Sequence, residues 1–206
     1  MFNEQGLHRV GVRDIARALG LSPGNLAYHF PTRDDLVSAL VMELHELNAR
    51  TAFAQFPDDF SLVTLYETAL AVMRNIMTYR FVLLSYVDAV MASPELRKME
   101  EALAVRRRAR HDDMIRRLVA RGYVSRRAYT PRAEYLYEQG QLISSGWLAA
   151  AALQPHRRTE EEIVRHYAKL GCALLDPVLT PKGALQLRRI LCGRYDASAV
   201  STSRGA

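Results

Sequence analysis

Gly11-Val12-Arg13-Asp14-Ile15-Ala16-Arg17-Ala18-Leu19-Gly20-Leu21-Ser22-Pro23-Gly24-Asn25-Leu26-Ala27-Tyr28-His29-Phe30-Pro31-Thr32-Arg33-Asp34-Asp35-Leu36-Val37 is the stretch that decides how the rest of the chain is read. Val12, Ile15, Ala16 and Leu19 recur at i, i+3, i+4 and i+7, one face of a short helix that Gly20 ends. Ser22 is a natural N-cap. Pro23 follows at the first helical position, where its missing N–H costs nothing, and Leu26 with Phe30 forms an i, i+4 apolar pair. Pro31 stops this second helix, because the residue before a proline is pushed out of the α region. Thr32 to Asp35 then supplies a cap and two acids for a third helix, which continues through Leu36, Val37, Leu40, Val41 and Leu44. Two short helices around a tight glycine turn make a helix-turn-helix, with DNA as the leading partner.

In such a motif the first helix braces the second, which enters the major groove with its N-terminal side chains toward base edges and phosphates. Ser22, Pro23, Gly24, Asn25, Ala27, Tyr28 and His29 line the face expected to be exposed, while Leu26 and Phe30 pin the other face to Ile15, Ala16, Leu19 and Leu36. Gly24 and its small neighbours allow close backbone approach. Tyr28 and His29 offer donors for phosphate oxygens, and Asn25 can bond a base edge. Arg33, at the start of the next helix, and Arg13, on the first, can reach flanking phosphates. The competing reading of Tyr28 and His29, simple caps in another three-helix packing, does not account for the ordered set.

Val12-Arg13-Asp14-Ile15-Ala16 and Gly20-Leu21-Ser22-Pro23-Gly24-Asn25-Leu26-Ala27-Tyr28-His29-Phe30 resemble the N-terminal signature of the TetR (tetracycline-repressor) family of bacterial regulators, over about residues 2–45. The resemblance implies an all-helical homodimer in which each head reads half of a palindromic operator in double-stranded DNA. It further implies a C-terminal body that binds a small-molecule effector and controls head separation, and most members repress transcription. Two departures are Ala27, two positions before His29, where members usually carry an aromatic, and Gly11, where a Ser or Thr usually caps the first of the two helices. A third lies at the front: Phe2-Asn3-Glu4-Gln5-Gly6 resembles the end of the family's first helix. Either the true start is then upstream of Met1, or the head lacks cover for Ile15, Leu19 and Phe30 and grips DNA less well.

Net charge is +6, a mild argument for a polyanionic partner, but the excess is not in the head. Residues 1–47 hold four arginines (Arg9, Arg13, Arg17, Arg33) against six carboxylates, a net of −2 with histidine neutral. Arginine concentrates between Arg97 and Arg132, where Arg106, Arg107, Arg108 and Arg110 share a helix with Glu100, Glu101, Asp112 and Asp113, the pattern of a solvated helix face. An apolar fraction of 49% in 206 residues fills a real core. No apolar run approaches the roughly 18 residues of a membrane span, and no signal peptide opens the chain, so a cytoplasmic protein is expected. Cys172 and Cys192 read as packing thiols.

Beyond the head, Pro57, Asp58 and Asp59 mark a break, and residues 61–78 keep a helical period as a core helix. Residues 79–92 are nearly continuously apolar and read as a central helix packed on several sides. Ser93-Pro94 opens a long helix to about Arg121, and Thr130-Pro131 another to about Leu153, ended by Pro155. Thr159 with Glu162 forms a capping box for a helix to Leu175, and Thr180-Pro181 starts a last short one. Residues 196–206 lack periodicity and read as a disordered tail.

The fold expected is therefore all-α, with a helix-turn-helix head at 1–47, a ligand-binding and dimerisation body at 48–195, and the tail. Tyr79, Phe81, Tyr86, Met91, Met99, Tyr137, Trp147 and Tyr167 suit a core better than a ligand pocket. Arg80 and Asp88, two turns apart, suit an intrahelical pair as well as a ligand clamp. The family's dimer usually forms through two helices per chain at the place of 131–178, where Gly140, Ser144, Ser145, Gly146 and Ala149 to Ala152 permit close approach, with Trp147 and Leu148 as larger contacts. No catalytic or metal-ligand spacing stands out, and the six histidines are scattered; no cofactor and no enzyme are expected. The alternative to a regulator is a dimeric ligand-binding or scaffold protein with a degenerate head.

Overall fold

The computed structural model of the chain describes residues 1–6, 9–53, 59–84, 86–154 and 158–194. The break at Pro57-Asp58, the stop at Pro155 and the tail at 196–206 lie outside them. Twelve α-helices follow one another among the described residues: α1 (Phe2–Gln5), α2 (Val12–Ala18), α3 (Pro23–His29), α4 (Arg33–Phe53), α5 (Leu62–Thr78), α6 (Arg80–Leu84), α7 (Tyr86–Ala92), α8 (Pro94–Ala120), α9 (Arg126–Tyr129), α10 (Ala133–Leu153), α11 (Glu160–Ala173) and α12 (Pro181–Leu191). The class is all-α, as expected; the strand-like pairing among the described residues is an isolated bridge between Val124 and Leu179.

Capping chemistry sets most boundaries. Ser22, Ser61, Ser93, Thr159 and Thr180 each accept a backbone N–H from the first turn they precede, and Thr159 closes the capping box with Glu162. Ser125 does the same for α9, so the segment expected to open at Thr130 opens earlier, and Pro131 sits in a 3₁₀ turn between α9 and α10.

The central element is α5. Its Leu62, Tyr66, Leu70, Met73 and Ile76 are buried among Val41 and Leu44 of α4, Val164, Tyr167 and Ala168 of α11, and Leu187 and Ile190 of α12. The segment expected as a central helix at 79–92 is helical over α6 and α7, against α10, α4 and α8, but it is not packed on all sides. Leu83, Tyr86 and Val90 turn inward, whereas Leu84, Val87 and Met91 are exposed, because a helix laid on one layer buries one face only. Arg80 pairs with Glu160 of α11 at 3.1 Å rather than with Asp88.

The front of the chain is fastened to the body. Phe2 stacks at 4.9 Å on Phe81, and the Asn3 side chain accepts from the Phe81 N–H at 3.1 Å while donating to the Thr78 carbonyl at 2.8 Å. This spans the joint between α5 and α6. Trp147 and Leu148, expected at a dimer face, are buried inside the chain instead, because they lie on the side of α10 that packs on α11 and the cavity wall. Cys172 is buried and its thiol is pushed up to about 12 by desolvation, whereas Cys192 is exposed just beyond α12.

Candidate nucleic-acid interface

The turn between α2 and α3 is built by Gly20, whose φ of 67° lets the chain reverse and the Leu21 N–H reach back to the Ala16 carbonyl at 2.9 Å. Ala16, fully buried, lets the two helices approach closely. At the other end of α2, Asp14 accepts the Gly11 N–H at 3.1 Å, supplying from the acid the cap that glycine cannot. Ser22 then accepts the Asn25 N–H at 3.1 Å and starts α3. Leu26 is the buried anchor of α3, and Phe30, half-buried, follows it.

These constraints turn one face of α3 outward. Ser22, Pro23, Gly24, Asn25, Ala27, Tyr28 and His29 are all exposed, as is Arg13 on α2; Arg33, at the start of α4, is half-buried and 3.5 Å from Asp34. Tyr28, with its ring edge-on to His29, is 83% exposed, a large aromatic held out of any core. Leu19 departs from its expected place: at the C-cap of α2 it is 63% exposed, because no described element lies over it. The head's acids serve structure. Asp14 caps α2, and Asp35 accepts both the N–H and the hydroxyl of Thr32, which hold its carboxyl below the usual range. Arg9 and Arg13 have no ion-pair partner among the described residues.

A cavity of about 250 Å³, open on one side, lies between α5, α8, α10 and α11. Leu65, Val72, Ile76, Met114, Leu136 and Ile143 supply apolar walls, and Arg107, Arg110, His111 and Trp147 also line it. Arg107 and Arg110, expected on a solvated face, thus point inward. A line of three- and four-residue steps through Leu96, Met99, Leu103, Arg107, Arg110, Met114 and Leu118 carries the two arginines on the packed stripe of α8, a signal legible in the spacing but masked by neighbouring charges. Arg106 is exposed, and Arg108 pairs with Glu134 of α10 at 2.8 Å.

From Arg107 a polar chain leads away from the cavity. Arg107 and the Tyr86 hydroxyl both donate to Glu100, and the Tyr86 hydroxyl lies 3.1 Å from His45 Nε2 on α4. Burial pushes the Glu100 carboxyl up, but those hydrogen bonds and the Arg107 charge outweigh it and hold the group below its usual range. Burial lowers the basicity of His45 and, on the cavity wall, of His111, whose ring nitrogen lies 3.1 Å from the Tyr129 hydroxyl. Among the described residues no three acidic, histidine or cysteine side chains form a metal-binding group, and no helix is long and apolar enough to cross a membrane.

The model of the family described as bacterial regulatory proteins, tetR family, matches residues 1–40. A second, described as bacterial transcriptional repressor (TetR), matches residues 45–187, more than half of the chain. The chain belongs to the TetR family. Solved TetR-family structures share the fold. A TetR-family transcriptional regulator from Marinobacter aquaeolei aligns with a TM-score of 0.78 and 22% identity over 94% of this chain and 91% of its own. PfmR from Thermus thermophilus aligns at 0.60 with 22% identity, over 85% of this chain and 92% of its own. The ketosteroid transcriptional regulator KstR2 of Mycobacterium tuberculosis aligns at 0.56 with 18% identity, over 87% and 90%. No curated protein sequence matches significantly. In TetR terms, α2 and α3 are the helix-turn-helix and α5 to α12 the body, with α4 running unbroken between them.

Proposed function

We propose that this chain is a ligand-responsive transcriptional regulator, a repressor that binds a palindromic operator as a homodimer and is released by a small molecule. Residues 1–47 form its DNA-binding head, with Arg13, Ser22, Pro23, Gly24, Asn25, Ala27, Tyr28, His29 and Arg33 as contacts; residues 48–195 form the body. The observation that carries the reading is the outward face of α3, whose exposed Tyr28 and His29 sit opposite a buried Leu26. A folded domain has no internal use for such a face; DNA phosphates and base edges supply one.

Support for the dimer comes from α10 and α11. Tyr135, Leu142, Ser145, Ala149 and Leu153, at steps of seven, three, four and four residues, lie along the exposed side of α10, with Leu170 exposed on α11. Apolar and small side chains at that spacing suit close helix packing, and a two-fold operator needs a two-fold protein.

The test is a gel shift with DNA from the protein's own promoter region at about 50 and about 200 mM salt, since phosphate-driven affinity must fall between them. Tyr28→Ala and His29→Ala should lose retardation while keeping the wild-type melting temperature, because exposed side chains contribute at most about 0.5 kcal/mol to folding. Undiminished binding by both would refute the placement of the recognition helix. A folded dimer that retards no DNA at either salt would favour a ligand-binding protein with a degenerate head.

A further inference from the structure

We propose that the cavity between α5, α8, α10 and α11 takes an organic carboxylate, one negative charge on an apolar body of roughly ten non-hydrogen atoms, with the carboxylate seated on Arg110. This deepens the regulator reading and rests on it for the cavity's role as the effector site.

Charge decides the class. Two guanidinium groups, Arg107 and Arg110, line the cavity, and no Asp or Glu does among the described residues. Arg107 is answered from outside the lining by Glu100. Arg110 forms no hydrogen bond or ion pair among the described residues, although desolvation and the neighbouring Arg107 charge both work against its ionised form. A guanidinium does not shed its proton in a protein, so the cavity presents one uncompensated positive charge beside apolar walls. His111 adds none, because burial keeps its ring neutral near pH 7.

Hydrogen bonding points the same way. Arg110 brings five N–H donors to the cavity lining with no hydrogen-bond partner among the described residues. Unanswered donors call for a group that only accepts, and a carboxylate is the acceptor a guanidinium binds with two parallel hydrogen bonds. An amine would bring more donors and a repelled charge. One unpaired cation also fits a monoanion better than a polyphosphate. For size, an apolar cavity of about 150 Å³ accepts benzene. On that scale the cavity of about 250 Å³ accepts about ten heavy atoms.

Octanoate, octan-1-ol and octylamine have nearly the same length and differ in the head. Trp147 is the chain's one tryptophan and lies in the cavity wall, so its emission reports occupancy, with calorimetry as the second readout. Octanoate should bind saturably, octan-1-ol at least tenfold more weakly, and octylamine not at all. Arg110→Gln should weaken octanoate at least tenfold and leave octan-1-ol unchanged; Arg110→Lys, which keeps the charge, should fall between. If Arg110→Gln does not fold, the ranking of the three probes on the wild-type protein decides alone. Octan-1-ol binding as tightly as octanoate, no binding of octanoate, or an Arg110→Gln variant with undiminished octanoate affinity would each overturn the proposal. DNA retardation without octanoate binding would sink the carboxylate site and leave the regulator reading standing. Octanoate binding that leaves DNA retardation unchanged would keep the carboxylate site and sink its role as the effector site.

Discussion

At Gly183 the last helix comes so close to the chain after α8 that an added Cβ would sit 2.2 Å from the Tyr123 carbonyl oxygen. That oxygen also accepts the Thr180 N–H at 3.0 Å, while the Thr180 hydroxyl donates to the Gly122 carbonyl at 2.7 Å. A methyl group there must push backbone rather than a flexible side chain. Gly183→Ala should therefore destabilise the fold by about 1–3 kcal/mol, read as a lower urea midpoint. The same change at exposed Gly146 meets only open space and sits mid-helix, where alanine is the better helix former, so it should not lower stability. Equal midpoints for the two variants would contradict the close approach.

The polar chain that joins α4, α7 and α8, together with His111 on α8, makes the packing of these helices sensitive to pH. His45 and His111 are both held neutral by burial, so in the native state they take up protons at lower pH than the ordinary histidine value of about 6.5. Below that value the unfolded chain binds more protons than the folded one. Stability contributed by the neutral rings is present above about pH 6.5 and is lost as pH falls from there through the lowered native value. The lowered carboxylates Glu100, Glu161 and Glu162 act at more acid pH, where they must be protonated. Urea midpoints should thus rise between about pH 5 and about pH 7, and a His45→Gln, His111→Gln double variant should flatten the rise. An unchanged slope would show that neither ring is the source.

For the molecule as a whole, the dimer proposed above uses the side of α10 and α11. Leu142, 72% exposed, sits midway along the stripe that the proposed dimer would bury. Leu142→Glu places a charge at that centre and should yield a monomer by sedimentation, with little effect on the melting temperature, since the side chain has no role in the core of one chain. Operator retardation should fall with it, because two heads must be held at half-site spacing. A Leu142→Glu protein that still sediments as the wild type would exclude this face as the interface.

Local chemistry is legible in the order of the residues: the Gly20 turn, the Ser22, Ser93, Thr159 and Thr180 caps, the exposed set on α3 and the all-α class. Each depends on residues within one or two turns, where capping and helical period act without knowledge of the rest of the chain. Apolar content alone overstated the burial of 79–92, because hydrophobicity states what a segment could bury and not how many neighbours reach it. The same limit hid Arg107 and Arg110 among exposed arginines, and set Trp147 and Leu148 at a subunit face when they belong to the core. These follow from the packing of the helices, which brings α5, α8, α10 and α11 around one cavity and Asn3 onto the α5–α6 joint. Burial is a property of pairs of elements distant in sequence, and no single helix carries it.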